Sequence, residues 1–142
     1  MFKKILLATD GSKFADHAAD AALSLATSLS EAEVLLLHVS EDPPSRSDLM
    51  QSGMDVEYVL REKAQELTAP TAEKFRAAKV DHALEVALGD PADMIVETAR
   101  DEEVDLIVIG SRGLGAVSSL LLGSVSRRVS QEAACPVMIV KR

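Results

Sequence analysis

Five short apolar runs recur along the chain, and helical patterns fill most of the gaps between them. The runs are KILLAT (4–9), EVLLLHV (33–39), HALEVAL (82–88), VDLIVIG (104–110) and PVMIVK (136–141). Four are apolar almost without interruption, while 82–88 partly alternates. A strand with one wet face alternates, so continuous runs of this length point to strands covered on both faces, as in a parallel sheet. Residues 12–29 place Ala15, Ala18, Ala19, Ala22, Leu25, Ala26 and Leu29 on one stripe, with Ser12 as N-cap. Residues 54–79 read as a longer helix that Pro70 must kink or break. Asp90 and Pro91 open a helix over 90–102, as cap and first-turn residue, and a last helix covers 123–134. The polar stretch SEDPPSRSDLMQSG (40–53) reads as a mobile loop. The resulting order, βαβαβαβαβ, predicts an α/β sandwich with right-handed crossovers.

A chain of 142 residues is expected to form one domain, spanning 1–142, because two would each have too little core. Aromatic residues make up only 3% and Trp is absent, so the core must be built from Ala, Val, Leu and Ile. A net charge of -8 argues against nucleic acid and against an anionic membrane surface as partners. It leaves room for one anionic ligand, which local backbone dipoles can hold. No apolar run approaches the roughly 20 residues of a membrane span. The opening MFKKILLATDGS carries an apolar run that Asp10 ends, too short for a secretory core. The expectation is a buried first strand and a cytoplasmic protein. Cys135 is the only cysteine, which excludes an intrachain disulfide, and it reads as a small buried hydrophobe.

Four of the seven glycines fall in GSRGLGAVSSLLLGS (110–124). Gly110 ends the fourth run, Gly113 permits a tight turn or close approach of a ligand, and Gly123-Ser124 opens a helix. Free N–H groups and the helix dipole favour an anion there, Ser124 and Ser126 add hydroxyls, and Arg112 adds a guanidinium. The segment has no Lys, so it is not a Walker A loop, and it follows the fourth strand, so it is not a dinucleotide fingerprint. Read alone, it is either a phosphate cradle or a plain strand-to-helix turn. Asp10, Gly11 and Ser12 stand at the end of the first strand. In a sheet of order 3-2-1-4-5 this turn and the glycine segment meet where the strand order reverses, and ligands bind at such reversals. In the order 2-1-3-4-5 they lie further apart, and the pattern alone allows either.

The spacing Gly110-x2-Gly113-x9-Gly123-Ser124 resembles the ATP-binding signature of the universal stress protein family. The resemblance runs through KILLATDGS, LLLHV, GDPADMIVETARDEEVDLIVIGSRG, LLLGSVSRRV and CPVMIV, nearly the whole chain. It implies a three-layer α/β sandwich with a five-stranded parallel sheet in the order 3-2-1-4-5, the adenine nucleotide alpha hydrolase-like fold. By motif, Gly110, Arg112, Gly113, Gly123, Ser124, Val125 and Ser126 would surround the ribose and phosphates. Ala8, Thr9 and Asp10 would line the nucleoside site, with Asp10 near the ribose or a bound metal, and Val39 would meet the adenine through its main chain. The implied ligands are ATP, or ADP or AMP, with Mg²⁺ bridging phosphate oxygens. The chain departs from the family in Pro70 and in LGAVSSLLL (114–122), which lacks a basic residue. Family members commonly dimerise, and the apolar last strand, 136–140, is the edge expected to pair in a homodimer.

No Ser-His-Asp arrangement or metal-ligand cluster is legible, so catalysis finds little support. His17 reads as a surface or half-buried residue, His82 as solvated, and His38 lies near the expected adenine region. RDEEVD (100–105) reads as the solvated end of a helix, and Arg127 is a candidate for phosphate neutralisation. The leading expectation is a dimeric, ATP-binding regulatory protein of the stress response with at most slow hydrolysis. A metal-dependent ATPase or nucleotidyl-transfer enzyme using Asp10, and a dimeric interaction module that binds no nucleotide, are the alternatives.

Overall fold

The computed structural model describes residues 2–10, 13–29, 31–111 and 123–141, with the backbone alone at 13 and 14. The elements follow the order β1 (Lys4–Ala8), α1 (Lys13–Ser28), β2 (Glu33–Ser40), α2 (Arg46–Gln51), α3 (Val56–Ala77), β3 (Asp81–Leu88), α4 (Pro91–Asp101), β4 (Leu106–Gly110), α5 (Ser124–Glu132) and β5 (Val137–Val140). The five strands form one sheet in the order β3-β2-β1-β4-β5, and every pairing is parallel. This is the 3-2-1-4-5 arrangement, and it removes the other order.

Handedness explains the layers. From β1 through β2 to β3 the chain steps one way along the sheet, and from β3 to β4 and β5 it steps back. Right-handed crossovers therefore place the first helices on one face and the later ones on the other. The core divides accordingly. Ile5, Leu7, Val34, Leu36 and Val108 pack on α1 alanines and on Phe75 of α3. Leu6, Leu35, Leu37, Ile107 and Ile109 pack on Ile95 and Ala99 of α4 and Val129 of α5. Each central strand is thus covered on both faces, which is why its sequence runs apolar without alternating. On α1, Ala18, Ala19 and Ala22 are buried, and their small side chains let the helix lie close to the sheet.

Three local expectations need correction. Of the kink or break expected at Pro70, the break is excluded, since α3 is continuous from Val56 to Ala77. Pro70 is exposed, so the carbonyl it leaves unpaired one turn earlier can turn to water while Val59, Ala64 and Phe75 hold the buried side. The stretch 40–53 contains a helical turn, α2, whose N-cap Ser45 accepts from Asp48 N at 3.1 Å. The 100–105 segment is more than a solvated helix end. Asp105 Oδ2 accepts from the backbone N–H groups of Lys3 and Lys4 at 2.9 Å each, and Lys4 Nζ reaches Glu102 at 3.0 Å. These bonds tie the start of β1 to the entry of β4 and hold the Asp105 carboxyl below its ordinary range.

Among the described residues no helix is long and apolar enough to cross a membrane.

Candidate functional site

At the carboxyl ends of β1 and β4 the chain leaves toward opposite faces of the sheet, and a cleft opens between the departing segments. The pairing Leu7↔Val108 is the last between the two strands. Beyond it, Thr9 N donates to Leu37 O at 3.0 Å, which carries the end of β1 along β2. On the other side, Ser111 N donates to Val140 O at 2.9 Å. Gly123 N returns to Ser111 O at 2.7 Å, so α5 starts where β4 stops.

The cleft holds about 590 Å³. β1 supplies Ala8 with Thr9 and Asp10 beyond it, and β2 supplies Leu37 and Val39, followed by Glu41 and Asp42. β4 supplies Ile109 and Gly110, and α5 supplies its N-cap Gly123 and first-turn Ser124, Val125 and Ser126. Ala15 of α1 and Pro91 and Ile95 of α4 complete the wall. Nine of the eleven positions marked in the sequence, Ala8, Thr9, Asp10, Val39, Gly110, Gly123, Ser124, Val125 and Ser126, therefore meet around one space. Arg112 and Gly113 lie outside the described residues. Leu37, Glu41, Asp42, Pro91, Ile95 and Ile109 were not marked. The strand-end positions of Glu41 and Asp42 were a usable signal, whereas Pro91 and Ile95 required knowing which face α4 covers.

Two kinds of polar group face this space. The first is the start of α5. Gly123 caps the helix without a side chain (φ -65, ψ 158), so the cap residue itself offers no side-chain acceptor to the first-turn N–H groups. The dipole of the helix adds partial positive charge at that end. The Ser126 hydroxyl is already engaged, since it is buried and directed at Ser111 O (3.0 Å) and Gly123 O (3.1 Å). It fixes the helix start instead of donating to a ligand. The second kind is acidic: Asp10, Glu41 and Asp42. Among the described lining residues there is no cation. Arg127 is exposed just beyond the wall, and Arg128 is held by Asp90, Asp93 and Glu132.

The histidines take structural positions. Side chains alternate along β2, so Leu37 and Val39 face the cleft while His38 lies on the opposite face. His38 is 8% exposed, and its Nδ1 has no hydrogen-bond partner. Burial pulls the imidazole below its ordinary pKa of 6.5, partly opposed by Asp10. The unfolded chain then binds a proton below pH 6.5 that the folded chain resists, so stability falls as the pH drops through that value. The expected result is that His38→Gln flattens the loss of stability between about pH 7 and 5.5, read from urea midpoints. Parallel slopes in the two proteins would contradict this. His82, expected to be solvated, is half-buried, with its ring 5.8 Å from Phe75 and Nδ1 2.9 Å from Val80 O. His17 is exposed. Among the described residues no three His, Cys, Asp or Glu side chains gather as a metal site, so a cation here would need ligand oxygens as well.

The model of the universal stress protein family matches residues 1–141. A universal stress protein of Thermus aquaticus is 41% identical over 143 residues, covering 99% of this chain and all of the relative. The crystal structure of a universal stress protein in complex with cAMP superposes with a TM-score of 0.74 at 26% identity, covering 97% of this chain and 96% of the other. A family protein of Arabidopsis thaliana with AMP bound superposes at 0.70 with 25% identity, covering 99% and 92%.

Proposed function

The chain belongs to the universal stress protein family, and on that premise we propose that it binds an adenine nucleotide in the cleft between β1 and β4. It is read as a regulatory stress-response protein of the cytoplasm, one domain over 1–142, whose first ligand is ATP. The observation that carries this reading is the convergence of β1, β2, β4 and the uncapped start of α5 on one cleft. Its volume lies within the usual span for small-molecule sites, about 300–1,000 Å³. The cAMP and AMP complexes of its relatives support the ligand class.

The chemistry divides along the cleft. Leu37, Val39, Ile95 and Ile109 offer an apolar wall for the adenine ring, whose edge the main chain at Val39 can read. The N–H groups of Ser124, Val125 and Ser126 suit phosphate oxygens. Asp10, Glu41 and Asp42 would repel a bare polyphosphate; the Asp10 carboxylate is an oxygen donor that would help hold Mg²⁺, whose charge would neutralise the ligand. Arg112 and Gly113 belong to the same proposed site by motif. Carboxylates without a histidine among the described wall suit holding more than cutting. The same carboxylates favour one other reading, metal-dependent hydrolysis, which a turnover assay with and without Mg²⁺ separates. Calorimetry with AMP and with ATP and Mg²⁺ tests the binding. Saturable heat supports it, and none at millimolar nucleotide overturns it.

The proposed assembly is a homodimer through β5. This strand is a sheet edge, its Met138 is 37% exposed, and Val137, Ile139 and Val140 are half-buried. Antiparallel pairing of two such edges across a twofold would cover both. Light scattering is expected to give twice 15.2 kDa for the wild type and a monomer for Met138→Asp, which sets like charges across the axis. A wild-type monomer at about 100 µM (roughly a hundredfold above a micromolar Kd) contradicts it.

A further inference from the structure

α4 and α5 lie side by side and supply facing parts of the cleft wall, Pro91 and Ile95 from one and Ser124 to Ser126 from the other. Among the described residues, one side chain makes the polar links between them. Arg128 Nη1 reaches Asp90 Oδ2 at 2.8 Å, Nη2 reaches Asp93 Oδ1 at 2.5 Å, and Nε reaches Glu132 at 3.3 Å. Asp90 is the N-cap of α4 and accepts from Asp93 N at 3.0 Å through the same Oδ2. Arg128 stands one turn past Ser124, and helical side chains lean back toward the N-terminus, so its fork bridges the two helix starts.

We propose that Arg128 is a positioning residue for nucleotide binding: by clamping the first turn of α5 to the cap of α4, it sets the aim of the Ser124–Ser126 N–H groups into the cleft. The inference rests on the nucleotide reading above. Arg128 does not line the cleft, and all three of its guanidinium nitrogens are turned to carboxylates, so it acts through the helix and not on the ligand. Half-exposed ion pairs add little to global stability. The apolar seam of Ala92, Ile95, Val125 and Val129 keeps the helices packed without them. Hydrogen bonds to phosphate, in contrast, weaken steeply when a donor moves out of range.

The test compares AMP affinity by calorimetry with melting temperature. Arg128→Gln is expected to weaken AMP binding about 3- to 30-fold, the size of a coupling carried by one residue outside the site. Its melting temperature should fall by no more than about 4 °C. Arg128→Lys, which keeps the charge and loses the fork, should recover part of the affinity. Asp93→Asn should weaken AMP binding alone and add nothing to Arg128→Gln, because both break the same clamp. Arg76→Gln, which loses a surface pair with Glu73 on α3, should leave the affinity unchanged. A wild-type Kd in Arg128→Gln, with only a lowered melting temperature, overturns the clamp while leaving the functional reading standing. Failure of the wild-type chain to bind either AMP or ATP with Mg²⁺ overturns the functional reading and the clamp with it.

Discussion

Replacing Ser124 with aspartate is expected to leave the protein as stable as before, or slightly more so, and to weaken ATP binding severely. The two effects have one origin. Ser124 is exposed at the first position of α5, where the helix has no side-chain cap. A carboxylate in the first turn of a helix is favoured by the dipole, by about 0.3–1 kcal/mol. The same carboxylate occupies the ground assigned to the phosphates. Like charges about 4 Å apart repel by about 4 kcal/mol at a protein surface, and 1.4 kcal/mol is about tenfold in affinity. The expected loss is therefore at least about 100-fold for ATP and smaller for AMP, measured by calorimetry alongside a thermal melt. Ser124→Ala separates the hydroxyl from the backbone and should cost only a few-fold. If Ser124→Asp binds ATP as the wild type does, phosphates do not sit at the start of α5.

The largest expected effect on stability is at Phe75. In a chain with three Phe, one Tyr and no Trp, this ring is 1% exposed between α3 and the sheet. Its neighbours in the cluster include Ala18, Ala19 and Ala22 of α1, which have no side chains long enough to collapse into the space it fills. Phe75→Ala should cost about 3–5 kcal/mol, a large share of the roughly 5–15 kcal/mol that stabilises an ordinary domain. Phe75→Leu, which keeps most of the volume, should cost less than about 1.5 kcal/mol. Guanidinium unfolding measures both. A loss under about 1 kcal/mol for Phe75→Ala would show that the space closes and that α3 does not depend on this ring.

The strands were legible because burial on both faces leaves a direct trace: Leu6, Leu7, Leu36, Leu37 and Ile107 are all fully enclosed. Asp90 and Pro91 announced α4, and the structure uses them as cap and first residue. Strand order was not legible from pattern, because hydropathy records that a strand is covered and not which strand lies beside it. The family resemblance supplied that order. Helix ends were blurred for a different reason. Lys79 and Glu103 adopt left-handed backbone (φ 58 and 53) after α3 and α4, at positions where glycine usually marks the stop. Ser126 looked like a ligand donor, but its hydroxyl bonds the backbone of Ser111 and Gly123. His38 follows Leu37 and precedes the cleft residue Val39, yet one step along a strand turned it to the other face.

The most direct measurement of the central claim is an amide NMR titration of the whole chain with AMP. Saturating shifts are predicted at Thr9, Asp10, Val39, Gly110, Ser124, Val125 and Ser126, with the exposed side of α3 around Glu62 and Glu66 unmoved. An absence of shifts both at millimolar AMP and at millimolar ATP with Mg²⁺, or shifts confined to the groove between α2 and α3 at Asp48, Tyr58 and Glu62, would contradict the account.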